Sequence, residues 1–275
     1  MSIFRDILYG FISGFAEFLP VSSLGHQSLL RHLFGWEQSM PVRDLLVHIA
    51  VILALLTACR PSFDRLYREN KPALRGRRTT GSELPGDGFD LHLIRTATVP
   101  LVIGSLLCFY TLNRNFSLAW ISLFFLLNGL VMIIPDHVRS SNKDSRTMTG
   151  LDGILLGVVG ALSIFPGISR TGAMCSFASV RGVGKKHAIN WALLLSLPAL
   201  LVLCIYDLIS IFVATGIGFS FLSVVGWLFS AIAAYCGSYL SVVLIRFLAY
   251  RTGYDGFAYY SWGTALLSMI LYLIT

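Results

Sequence analysis

The sequence predicts an all-α polytopic membrane protein with an inverted-topology repeat: two re-entrant helical hairpins plus six transmembrane helices, in a single membrane domain over residues 1–275. Three observations lead there. The 275 residues are 55% hydrophobic and 13% charged, with a mean hydropathy of +0.73, whereas a soluble domain carries roughly 25% charge. Two pairs of apolar stretches, each interrupted by a proline, are shorter than the roughly 20 residues a spanning helix needs. Finally, Asp6 to Pro20 aligns without gaps on Asp152 to Pro166, and Gly14 falls on Gly160; such self-similarity marks an internal repeat.

The first hairpin comprises residues 3–19 and 22–35. Pro20 lacks a backbone N–H, and its ring disfavours a helical residue before it, so the first helix stops near Leu19. Ser22 or Ser23 caps the helix that follows. Residues 44–59 form a spanning helix that ends at Arg60-Pro61. A basic loop, 60–89, comes next, and Gly81, Pro85, Gly86 and Gly88 make it irregular. Spans at 91–111 and 117–134 complete the first repeat, about residues 1–135. A polar loop at 136–150 carries Arg139, Lys143 and Arg146. The second repeat, about 150–275, opens with short apolar pieces at 152–165 and 169–181 around Pro166. It continues with spans at 187–206, 219–247 and 257–274. Trp36, Trp120 and Trp227 fall near span ends and read as interfacial anchors.

The net charge of +7 is concentrated rather than spread. Arg60, Arg65, Arg68, Lys71, Arg75, Arg77 and Arg78 share one loop between apolar segments. That pattern excludes a nucleic-acid partner and places 60–89 in the cytoplasm, against anionic lipid. The first hairpin then enters from outside. Three spans separate the hairpins, so the second enters from inside, and loop 207–218, which has no Lys or Arg, lies outside. Broken helices in inverted repeats meet near mid-membrane, with the site at the repeat interface. The cysteines, Cys59, Cys108, Cys175, Cys204 and Cys236, stand singly and without metal spacing. Glu17 and Pro20 interrupt the first apolar run, so it does not read as a cleavable signal.

Chemistry-bearing residues gather at the two breaks. Glu17, Ser22, Ser23 and His26 surround Pro20, and Ser169, Arg170 and Thr171 follow Pro166-Gly167. On a helix starting at the serines, His26 lies three or four residues on and shares their face. Arg170 stands at a helix start beside free N–H groups; this combination, with its planar donor fork, suits a phosphate. Plainer readings exist for each group. Arg170 could snorkel to the interface, the serines could simply cap, and Glu17 and His26 could satisfy each other. Two breaks carrying complementary groups favour one shared anion site, because an intramembrane charge costs about 2.5–3.5 kcal/mol even on the lenient scale. His48 on span 44–59, one turn past Asp44, either lines the same cavity or packs helices together.

The stretches E-F-L-P-V-S-S-x-G-H and P-G-I-S-R-T-G resemble the signature motifs of the bacterial undecaprenyl-diphosphate phosphatase family, the bacitracin-resistance type. The resemblance covers the whole chain and the order of both motifs. It implies a multi-pass enzyme of the bacterial inner (cytoplasmic) membrane that removes the terminal phosphate of a polyprenyl diphosphate carrier used in peptidoglycan synthesis. It also implies an outward-facing site, dependence on a divalent cation (Mg or Ca), and frequently a homodimer. By position, Glu17 matches the second glutamate of the family's E-x-x-x-E motif, a catalytic residue and metal ligand. Ser23 and His26 match its serine and histidine, and Arg170, with Ser169 beside it, matches its phosphate-binding arginine. The chain departs from the pattern at Ser13, where the family has its first glutamate, and at Met174, where it often has a hydroxyl residue. The change at Ser13 removes one of two carboxylates on a shared helix face and predicts a weak cation site.

Two functions of different classes are consistent with these residues. One is a lipid-diphosphate phosphatase, with Arg170, Ser169, Ser22 and Thr171 on the phosphates and Glu17, His26 and Ser23 in the chemistry. The other is a polyprenyl-phosphate flippase or transporter with little or no hydrolysis, which the inverted repeat and Ser13 also fit. A scaffold retaining only the fold is disfavoured, since Glu17, Ser23, His26 and Arg170 are all present.

Overall fold

A computed structural model describes residues 3–35, 40–74, 91–107, 111, 116–138, 148–213, 220–251 and 253–274. These residues form an all-helical bundle. We number its helices α1 (Ile3–Phe18), α2 (Ser23–Phe34), α3 (Pro41–Ala58), α4 (Arg60–Leu74), α5 (Leu91–Leu106), α6 (Leu118–His137), α7 (Gly150–Ala161), α8 (Arg170–Val180), α9 (Lys185–Val213), α10 (Phe221–Arg251) and α11 (Asp255–Ile274). A 3₁₀ turn, Leu162–Ile164, follows α7. Five of the described helices are long and apolar enough to cross a membrane: α3, α6, α9, α10 and α11.

Several boundaries differ from the sequence expectation. The expected span at 91–111 is a helix of 16 described residues, Leu91–Leu106. The segment after Arg60 is helical to Leu74 rather than irregular. It is amphipathic: Phe63 and Leu66 pack against the apolar core, while Arg60 pairs with Asp64 one turn on at 3.8 Å. Helix α9 runs seven residues past the expected end at 206, to Val213, because the polar residue there, Asp207, is buried and bonded rather than solvated. Trp120 is exposed, as an anchor should be, but Trp227 is buried in the bundle. The glycine-rich part of loop 60–89, most of the polar loop 136–150, residues 214–219 and Trp36 lie outside the described residues.

Small residues bring the helices together. Helix α1 packs on α10, and a Cβ at Gly10 would stand 2.0 Å from the Ser230 carbonyl oxygen. Helix α7 packs on α5 in the same way, with a Cβ at Gly157 falling 2.1 Å from the Ala97 carbonyl oxygen. Neither position admits any side chain, and such close backbone approach is how helices associate without a hydrophobic driving force between them. Helices α6 and α11 pair through the Ser122 hydroxyl, which donates to the Ala265 carbonyl at 2.7 Å. Helix α3 packs against both α9 and α10. Near its start, buried Arg43 reaches Asp6 of α1 at 3.4 Å and Asp44 at 3.1 Å, and its guanidinium lies 3.7 Å from the Tyr9 ring centre. These pairings hold the α1–α2 and α7–α8 breaks against each other in the middle of the bundle.

Candidate active site

Helix α1 ends at Phe18, and Leu19-Pro20-Val21 turns the chain toward α2. Ser22 caps α2: its Oγ accepts from the Gly25 N–H at 3.3 Å. Its backbone φ is +66°, a left-handed conformation unusual for serine. Such strain persists only where the surroundings impose it, and here the surroundings are the other break. The same Oγ accepts from Gly167 N–H at 3.0 Å. At that break Ser169 caps α8, accepting from Gly172 N–H at 3.2 Å, and its hydroxyl donates to the Leu19 carbonyl at 3.1 Å. Asn128 of α6 completes the clasp. Its amide donates to the Pro20 carbonyl at 3.0 Å, and its side-chain oxygen accepts from Ser169 N–H at 2.9 Å. Each serine therefore caps its own helix and bonds the opposite break. The two helix N-termini, α2 and α8, are fixed side by side, and both carry the partial positive charge of unpaired N–H groups.

A small polar cleft lies at this junction, lined by Glu17, Ser22, Ser23, His48, Ser163, Ser169 and Arg170 among others. Its free volume is about 20 Å³, room for about one water molecule. Glu17, in the last turn of α1, organises it. One carboxylate oxygen meets Arg170 Nη2 at 3.2 Å, and the other accepts a hydrogen bond from the Ser23 hydroxyl. Both side chains of the ion pair are nearly buried, Arg170 at 10% and Glu17 at 6% exposure. Arg170 Nη1 donates to the Ser196 carbonyl of α9 at 3.4 Å, while its Nε is buried with no partner among the described residues. A buried, unsatisfied guanidinium N–H at the positive end of a helix is a site for an additional acceptor.

The expected residues divide. Glu17, Ser22, Ser23, Ser169, Arg170 and His48 line the one cleft. His26 does not line it. Its Nδ1 lies 2.8 Å from the Ser22 carbonyl oxygen and its Nε2 2.7 Å from the Tyr260 hydroxyl, and its ring stacks on Tyr260. Three residues turn an α-helix by about 300°, so Ser23 and His26 remain neighbours on α2, and it is the Ser22 carbonyl and Tyr260 of α11 that hold the His26 ring away from the cleft. It lines instead an apolar cavity of about 500 Å³ walled by α1, α10 and α11, with Phe15, Leu19, Phe257 and Tyr260. Consecutive residues part the two spaces: Val21 lines the cavity and Ser22 the cleft. Thr171 is fully buried and absent from the cleft lining. Ser13 is buried too, and its hydroxyl has no partner among the described residues. Met174 is core: it is fully buried and fills the space beside Gly160 of α7.

Three contributors were missed from the sequence. Ser163 lines the cleft, and the internal alignment that sets Asp6 on Asp152 places it opposite Glu17. Asn128 is a lone amide within an apolar helix. Asp207, on α9, accepts from His48 Nδ1 at 2.5 Å; its position at the end of an apolar run carried no signal. No three His, Cys, Asp or Glu side chains stand together as metal ligands among the described residues. Among the described residues Glu17 is the only carboxylate lining the cleft, and it is already shared with Arg170 and Ser23.

A family model described as bacitracin resistance protein BacA matches residues 6–267. The undecaprenyl-diphosphatase of Carboxydothermus hydrogenoformans is 29% identical over 272 residues, covering 98% of both chains. That of Treponema denticola is 31% identical over 212 residues, 76% of each chain. A protein of Bacillus cereus named undecaprenyl-diphosphatase 3 is 28% identical over 273 residues, again 98% of both.

Proposed function

The chain belongs to the bacitracin resistance protein BacA family, and from that premise we propose that it hydrolyses undecaprenyl diphosphate to the monophosphate and inorganic phosphate. One observation carries the reading: two capped helix N-termini, clasped to each other, flank a buried arginine with a free donor. Phosphoryl transfer asks mainly for positioning and charge stabilisation, and this arrangement supplies both. The terminal phosphate takes the place Glu17 occupies on the Arg170 fork and accepts the unused Nε donor. Ser23, released from Glu17, donates to it, and the N–H groups at the starts of α2 and α8 meet the charge that builds on its oxygens. The prenyl chain leaves across the Val21–Ser22 seam, where the apolar cavity takes its first units and His26 stands beside the head-to-chain junction. The flippase alternative is not favoured, since the relatives are named as diphosphatases.

Glu17 would hold a divalent cation, Mg or Ca, together with the oxygens of the diphosphate. Such ions are bound through one or two carboxylates together with substrate phosphates, and Glu17 is the carboxylate available. The ion would neutralise phosphate charge.

The finer architecture belongs to the same proposal. Helix α1 packs on α10 as α7 packs on α5, and α6 pairs with α11. Exchange of partners between halves in this manner supports an inverted repeat with α1–α2 and α7–α8 as re-entrant hairpins. With the basic loop in the cytoplasm, the first hairpin opens outward, in the inner membrane, and the product is made on the outer side. Assembly as a homodimer follows the family. Purified full-length protein in detergent micelles, given undecaprenyl diphosphate and Mg, is expected to release one phosphate per lipid. Binding of the lipid without release would put the transport reading first.

A further inference from the structure

The cleft holds a second histidine with a carboxylate behind it. His48 of α3 and Asp207 of α9 lie 159 residues apart in the chain, yet Nδ1 and Oδ2 are 2.5 Å apart. Both side chains are largely enclosed, at 13% and 5% exposure. The His48 ring lines the same cleft as Glu17, Ser23 and Arg170, whereas Asp207 stands behind it, outside the lining. Helix α9 also offers the Ser196 carbonyl to Arg170, so one helix braces both the arginine and the histidine. His26 is placed otherwise: both its ring nitrogens have partners, and it faces the apolar cavity.

We propose that His48 accepts the proton of the attacking water and that Asp207 is its positioning residue. The assignment rests on the hydrolase reading above. A carboxylate that takes the Nδ1 proton in a hydrogen bond fixes the tautomer and leaves the Nε2 lone pair as the base. In the step, the water oxygen forms a bond to the terminal phosphorus while Nε2 takes one of its protons. The bond from that phosphorus to the bridging oxygen breaks, and its electron pair stays on undecaprenyl monophosphate. The imidazolium, held by Asp207, returns its proton to the departing inorganic phosphate. A pair serving only to join α3 and α9 has no need to present its ring to the phosphate cleft, and polar pairs of that kind contribute little to membrane helix packing.

The test compares full-length variants in micelles by steady-state phosphate release, with thermal midpoints measured in parallel. A general base contributes about 10²–10⁴-fold, so His48→Gln should lower kcat at least about 100-fold. KM should stay within about threefold, since transition-state stabilisation and not binding is removed. Asp207→Asn should lower kcat about tenfold or more, and the double variant should be no slower than His48→Gln alone, as for groups acting as one unit. Retention of kcat within about threefold in His48→Gln, or multiplied losses in the double variant, overturns the assignment. Should His48→Gln fail to fold, Asp207→Asn decides alone: a lower kcat at constant KM supports the assignment and an unchanged kcat refutes it. A native chain that releases no phosphate refutes the hydrolase reading itself, and this assignment with it.

Discussion

Removing Arg170 should have two separable effects, one on folding and one on ligand binding. The guanidinium and the Glu17 carboxylate lie 3.2 Å apart and nearly buried. Arg170→Ala leaves that carboxylate in the bundle with the Ser23 hydroxyl as its one hydrogen-bond partner among the described residues. Breaking a buried pair from one side costs about 3–5 kcal/mol, most of it the uncompensated charge left behind. Glu17→Gln in the same chain removes that charge. The double variant should therefore be more stable than Arg170→Ala, with a coupling of about 0.5–3 kcal/mol between the sites. Binding should not recover alongside. Loss of a charge-assisted phosphate contact is worth about 1.5–3 kcal/mol, or about tenfold or more in Kd, in the single and double variants alike. Arg31→Ala, which touches Tyr9 rather than the cleft, should weaken binding less. Denaturant titration in mixed micelles gives the stabilities, and titration with a lipid diphosphate in the same micelles gives Kd. If the double variant is no more stable than Arg170→Ala, or if Arg170→Ala and Arg31→Ala weaken binding equally, the cleft described here is not the phosphate site.

Three further outcomes follow from the clasp and from Ser13. Asn128→Leu strands the Pro20 carbonyl and the Ser169 N–H, at about 1–3 kcal/mol for each unsatisfied group, so its thermal midpoint should fall and phosphate release should fall with it. In Gly25→Ala the added Cβ would stand 2.5 Å from the Phe125 ring and 2.8 Å from Gly167 N; overpacking of this kind costs about 1–3 kcal/mol, and hydrolysis at saturating lipid should drop as the breaks part. Ser13→Glu sets a second carboxylate one turn from Glu17 in a buried position. Hard cations favour oxygen ligands, so Mg or Ca should raise both the thermal midpoint and the phosphate release of this variant more than those of the native chain, and chelator should cancel the gain. Without a cation the two carboxylates repel, and the variant should be the less stable protein.

The parts of the site legible from sequence were the local ones. Proline alone does not mark a break, since Pro100, Pro135 and Pro198 sit inside helices; Pro20 and Pro166 were readable because each is followed two or three residues later by a serine that caps the next helix. The alignment of Asp6–Pro20 on Asp152–Pro166 marked the two breaks as counterparts in the sequence. What escaped depends on residues far apart in the chain. The bonds from Ser22 to Gly167 and from Ser169 to Leu19 join positions 145 and 150 residues apart, and nothing local to a serine says that its oxygen serves two helices. Asn128 and Asp207 are single polar residues in apolar runs, and only the partner across the bundle distinguishes a site residue from a packing one. His26 was misplaced relative to the cleft because helical spacing gives the angle between side chains but not which neighbour each meets, and Tyr260 comes 234 residues later.

The central claim is that the two breaks form one diphosphate site. A structure of the full-length protein with a bound methylene-bridged analogue of a polyprenyl diphosphate tests it most directly. The terminal phosphonate should contact Arg170 and the N–H groups at the starts of both α2 and α8, with Glu17 displaced from the guanidinium and the chain running past His26 into the apolar cavity. A head group bound at only one break, or lodged beside His26 and Tyr260 with the Glu17–Arg170 pair intact, would contradict it.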